Sequence, residues 1–127
     1  MANSVGLHES EALLSSETID RHRAITSIQE ELEAADWYDQ RVSATEDSQL
    51  AAILAHNRDE EKEHAAMLLE WLRRHDPALD GHLRTYLFTN ELVTEIESAK
   101  ESDSSSEASP PMIDGSLGIG SLKGLGQ

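Results

Sequence analysis

The sequence predicts an all-α chain: an antiparallel hairpin of two long helices followed by a short C-terminal helix. Three features predict it. From about Glu11 to Tyr38 there is no glycine or proline, and Leu14, Ile25, Ile28, Leu32 and Ala35 recur at the three- and four-residue steps of one helix face. A second stretch of the same kind runs from about Asp47 to His75. Between them lies only "QRVSATEDSQ", enough for a turn and nothing larger.

Each element has its own local signals. The first helix ends near residue 43, where Ser43, Thr45 and Asp47 are candidate N-caps for the second. The second closes on Arg73, Arg74 and His75, cations suited to the negative end of a helix, with Pro77 just beyond. Two helices of about 28 residues are each about 40 Å long. Past Gly81, "HLRTYLFTNELVTEIESA" holds one or two brief amphipathic helices, with Asn90 a candidate cap before Leu92, Val93 and Ile96. Residues 1–98 thus read as one helical domain. Residues 99–113, which include "ESDSSSEASPP", bury too little apolar surface to order themselves and read as a linker. Residues 114–127, "DGSLGIGSLKGLGQ", regain apolar side chains but are too rich in glycine for a helix.

A lone hairpin leaves apolar side chains on its outer flanks. A second copy is therefore expected, completing a four-helix bundle by dimerisation.

Charge narrows the function. The chain has 127 residues, with 10 Lys and Arg against 25 Asp and Glu, for a formal charge of −15. Nucleic acid and anionic membrane surfaces are excluded as partners, since both demand a cationic face. The same field draws cations in. There is no cysteine, hence no disulfide framework and no thiolate metal site. "MANSVGLHESEALL" lacks a basic start followed by an apolar run, and no stretch is apolar enough to span a bilayer, so a cytosolic chain is expected.

The second helix carries an anomaly. Its seam runs Leu50, Leu54, Asn57, Glu61, His64, Leu68, Trp71, with a carboxylate and an imidazole where leucines belong. Glu61 and His64 form E-x-x-H, which brings both side chains to one face. Burying an unpaired carboxylate is costly, so a positive partner is required. The first helix has the matching anomaly: Glu31 interrupts the line Ala24, Ile28, Ala35, Tyr38. With the turn near residue 43, Glu31 and Glu61 lie within about two turns of the same height.

The donors can be counted. Di-iron carboxylate bundles take a Glu from each of two helices and a Glu-x-x-His from each of the other two. One chain here supplies one of each, so two chains would supply four carboxylates and two imidazoles. Four negative charges balance two divalent cations. Such ligands suit Fe, Mn or Zn, and carboxylates that shift their binding suit iron passing from Fe(II) to Fe(III). Tyr38 could place a phenol near the site or simply be a core or interface tyrosine. Glu30, Glu33 and Trp37 share the neighbouring face at i, i+3 and i+7, an arrangement that could gather hydrated cations or simply be a solvated face. His22, His56, His75 and His82 belong to no comparable group and read as surface or interface residues.

Three stretches carry a resemblance. "RHRAITSIQEELEAADWYDQRV", "ILAHNRDEEKEHAAMLLEWLRR" and "LRTYLFT" closely resemble the encapsulated ferritins of bacteria, and "DGSLGIGSLKG" resembles the peptide that loads cargo into encapsulin nanocompartments. The resemblance implies a ferritin-like bundle completed by dimerisation and assembled as a decameric ring. It implies a ferroxidase with iron ligands Glu31, Glu61 and His64 from both chains, Tyr38 close by, and metal gathering at Glu30, Glu33 and Trp37. An open ring encloses no cavity, so iron storage would fall to an encapsulin shell in the bacterial cytoplasm, reached through residues 114–125. The tail suits that partner physically: Leu117, Ile119 and Leu122, spaced by Gly and Ser, can press into shallow pockets while the linker keeps them at high effective concentration. The competing expectations are another carboxylate-bridged di-metal enzyme, a peroxidase or a manganese protein, and a non-catalytic encapsulin cargo or adaptor.

Overall fold

Ser15 starts the first long helix. Its hydroxyl accepts the backbone N–H of Thr18, satisfying one of the donors that a helix N-terminus leaves open. In the computed structural model, which describes residues 6–106 (side chains to 102), a 3₁₀ turn over Glu11–Leu13 precedes this cap. Helix α1 then spans Ser16–Ala44. It starts five residues later than the spacing predicts, because Ser15, in extended backbone, caps it and separates it from the 3₁₀ turn. It also runs past Tyr38: the N–H of Thr45 bonds the carbonyl of Arg41 at 3.0 Å, so the helix continues through Ser43.

Asp47 is the cap used by α2, which spans Ser48–Arg74. Its carboxylate accepts from the N–H groups of Gln49 and Leu50. The turn is therefore Thr45–Asp47, centred on Glu46 and not near residue 43. Three residues between two long helices force them back along each other, and α1 packs antiparallel on α2.

Asp76 and Pro77 look like the end of a helix and are the start of another. Helix α3 spans Pro77–Tyr86, with Pro77 at the first helical position, where a missing N–H costs nothing. Asp76 caps it by accepting from the N–H of Leu79. Gly81 lies inside α3, not before it; such a glycine costs about 1 kcal/mol against Ala but does not by itself break a helix. Arg73 on α2 bonds both Glu70 and Asp80, and Arg84 returns to Asp80, so an ion network fixes the α2–α3 corner.

The chain divides after Arg84 into two compact units. The second holds the end of α3, a loop and α4, Val93–Ser106. The amides of Glu95 and Ile96 bond the carbonyl of Leu92, so Leu92 holds the cap position and Asn90 lies two residues before it. Lys100 donates to Thr85 at 3.3 Å within this unit. Helix α4 reaches residue 106, so the first part of the stretch expected as a linker is helical. The rest of that stretch, and the C-terminal segment 114–127, lie outside the described residues.

The interface between α1 and α2 is lined by short side chains. Ala24 and Ala35 from α1 and Ala65 and Leu72 from α2 are the buried apolar residues among those described. Larger apolar groups stay in solvent: Ile25 and Leu32 on α1, Ile53 and Met67 on α2.

Candidate metal centre

Glu31 and Glu61 each lie fifteen residues from Glu46, the middle of the turn, so the antiparallel hairpin sets them at the same height. His64, one turn past Glu61 on α2, completes the group. One donor atom from each of the three lies within 4.8 Å of the others. His64 Nδ1 is 3.3 Å from Glu61 Oε1 and 3.4 Å from Glu31 Oε1. The glutamate side chains are 27% and 24% exposed and the imidazole 45%, so the cluster forms on a face of the hairpin rather than inside it.

Its electrostatics follow from crowding. The Glu61 carboxylate beside Glu31 holds the Glu31 carboxyl above its ordinary value, and partial burial adds to this. Hydrogen bonding from Glu31 holds Glu61 below its own. Partial burial pulls the His64 imidazole down, but Glu61 and then Glu31 more than offset it, leaving it raised. Two carboxyls crowded against one imidazole carry more negative charge than that imidazole can balance. A divalent cation supplies the difference, and carboxylate oxygens with an imidazole nitrogen fit Fe, Mn or Zn. Three donors on one exposed face are half of the set that a pair of metals needs.

The other predicted residues lie nearby without joining this group. Tyr38 is seven residues along α1, about 10 Å toward the turn, its ring beneath the Arg41 guanidinium at 5.5 Å. Glu30 and Glu33 are exposed on the adjoining face of α1, and Trp37 is 49% exposed. Asn57 is half-buried one turn before Glu61.

Arg58 escaped the sequence reading. Its Nη1 donates to Asp39 Oδ1 of α1 at 2.9 Å, and its Nε donates to Asp59 Oδ1 at 3.0 Å. The signal available was weak: an arginine three residues before Glu61 looks like one more surface charge until the partner helix is placed.

A family model described as EncFtn-like matches residues 6–90. An encapsulated ferritin-like protein of Rhodospirillum rubrum is 60% identical over 122 residues, covering 92% of this chain and 87% of that protein. That coverage exceeds what residues 1–106 can account for, so the likeness runs past Ser106. A ferritin-like protein of Thermotoga maritima is 57% identical, covering 71% of this chain and 79% of its own length. The crystal structure of protein ne0167 from Nitrosomonas europaea superposes with a TM-score of 0.67 at 65% identity, covering 69% of this chain and 97% of that one. An encapsulin nanocompartment cargo protein of Myxococcus xanthus is 37% identical over about half of each chain, 54% and 52%.

Proposed function

The chain belongs to the EncFtn-like family, and from that premise we propose that it is a ferroxidase carried as encapsulin cargo. Two protomers facing each other across a two-fold axis place two copies of Glu31, Glu61 and His64 around a pair of Fe(II) ions. The observation that carries this reading is the convergence of those three side chains within 4.8 Å on one exposed face of the hairpin. The names of the relatives from R. rubrum and M. xanthus support the cargo role.

The iron is the substrate. Each Fe(II) surrenders one electron to an oxidant, dioxygen being the natural acceptor, and leaves as Fe(III). What the protein supplies is position and charge. Glu31 and Glu61 from both chains bring four negative charges against four positive ones. Their oxygens tolerate both oxidation states and can shift as the metal contracts. His64 adds a neutral nitrogen donor and, through Glu61 and Glu31, a fixed orientation. Glu30, Glu33 and Trp37 gather hydrated Fe(II) on the adjoining face, and Tyr38 stands by as a phenol about two turns away.

Assembly follows from the same surface. The exposed Ile25, Leu32, Ile53 and Met67 support a face that a second copy covers, and dimers of this kind assemble into a decameric ring. Residues 114–125 dock on the inner wall of an encapsulin shell in the bacterial cytoplasm, where the shell stores the iron. Among the described residues, no helix is long and apolar enough to cross a membrane.

Oxidation of Fe(II) by the wild type and by His64→Ala, at matched protein concentration, tests the reading. Losing even a supporting partner of a metal ligand costs roughly 10–100-fold, so the variant is expected to fall at least that far toward the rate in buffer. Equal rates would overturn the enzyme. Metal analysis after loading, with turnover on Fe(II) against peroxide, separates it from a manganese protein or a peroxidase.

A further inference from the structure

Glu31 meets Glu61 and His64 only while α1 and α2 hold one register, and the packing between the helices specifies that register weakly. Three of the four buried apolar residues are Ala24, Ala35 and Ala65, whose methyl groups offer no long knob to resist sliding. A shift of one residue displaces a side chain by about 1.5 Å along the axis and about 100° around it. That is enough to carry Glu31 off His64.

One turn before Glu61, Arg58 crosses the interface. Its side chain is only 22% exposed, and it spends its guanidinium in two directions: Nη1 on Asp39 of α1, Nε on Asp59 of its own helix. Side chains on a helix lean toward its N-terminus, so Arg58 leans toward the turn, where Asp39 lies, and away from the metal face. Both partners are acids, so the arginine brings little net positive potential against an incoming cation. Among the described residues, the other ion pair between α1 and α2 is His64–Glu31, within the metal group itself.

We infer that Arg58 and Asp39 are a positioning pair: they touch no metal, and they pin the helix register that sets Glu31 opposite Glu61 and His64. The inference rests on those three residues being the metal centre. A lysine at 58 would not serve, because a point charge lacks the fork that reaches two carboxylates in fixed directions.

The test uses the full-length chain with Asp39→Asn, Arg58→Gln, and the exchanged pair Asp39→Arg with Arg58→Asp. Two signals are read: Co(II) affinity from its visible absorption, and the ¹⁵N chemical shift of His64 Nδ1 in metal-free protein. Each single variant is expected to keep wild-type helicity by circular dichroism, to weaken Co(II) about tenfold, and to move the His64 signal. The exchanged pair is expected to recover both. Single variants with wild-type affinity and an unmoved His64 signal would overturn the inference, as would an exchanged pair no better than the singles. If the wild type itself failed to bind Co(II), the metal-centre reading would fall, and the His64 signal alone would still decide the register.

Discussion

Glu31 works against the stability of the metal-free chain. Its pKa is raised in the folded state, first by the neighbouring Glu61, so above its ordinary value the fold binds more protons at this group than the unfolded chain does. Stability from this group therefore falls as pH rises through the raised value. At neutral pH the charged carboxylate is worse than a neutral isostere. Glu31→Gln is accordingly expected to melt above the wild type at pH 7 in chelator, with the gap closing at acidic pH, and to lose Fe(II) binding. Differential scanning calorimetry with and without metal checks both halves; a Gln variant that melts lower in chelator would contradict it. The sequence showed Glu31, Glu61 and His64 as polar breaks in apolar lines, because periodicity alone exposes them. It sets their heights only to within about two turns, because a turn near residue 43 leaves the glutamates at unequal distances from it. Ser43 is a good cap by type, but the Arg41 carbonyl takes the Thr45 amide and moves the turn to Glu46.

At the scale of elements, what sequence reveals depends on whether a signal is local. Asp47 and the stop at Arg73 and Arg74 are local, and both were legible. Pro77 marks the end of the second helix in the sequence and Gly81 a change of pattern, yet a proline at the first position of α3 and a glycine within it are compatible with helix. The corner that α2 and α3 make is held by charges: Arg73 and then Arg74 pull the Glu70 carboxyl down to about 2. A depressed acid contributes stability that is complete above its unfolded value, near 4.5, and that disappears as pH falls through the folded one. Glu70 is 43% exposed, so solvent screens the pair and the contribution is less than about 1 kcal/mol. Glu70→Gln should therefore melt slightly below the wild type at pH 7. The difference should shrink between pH 4.5 and about 2, and it should shrink at pH 7 in 1 M salt, about the concentration that screens beyond 3 Å. A gap that widens in acid would assign the corner to something other than these ion pairs.

The whole molecule is organised around what it leaves uncovered. The α1–α2 hairpin buries mainly alanines, and its larger apolar groups surround the metal face: Ile53 lies eleven residues before His64 on α2 and Met67 three after, both within the same helical stripe. Both side chains stay more than half exposed in the fold of one chain, at 58% and 59%. If a second protomer covers this face, one surface both drives association and completes the coordination, and the two should fail together. Ile53→Asp and Met67→Asp place a charge on that exposed face and replace no metal donor. Each is expected to keep its helicity, to sediment as a smaller species at micromolar concentration, and to oxidise Fe(II) more slowly in proportion to the lost assembly, with activity returning as protein concentration is raised. Deleting residues 114–127 provides the contrast, because a tail that only addresses the shell can be removed without slowing oxidation. Smaller species that oxidise iron at the wild-type rate would mean that one hairpin is a complete catalyst, and the shared site would have to be abandoned.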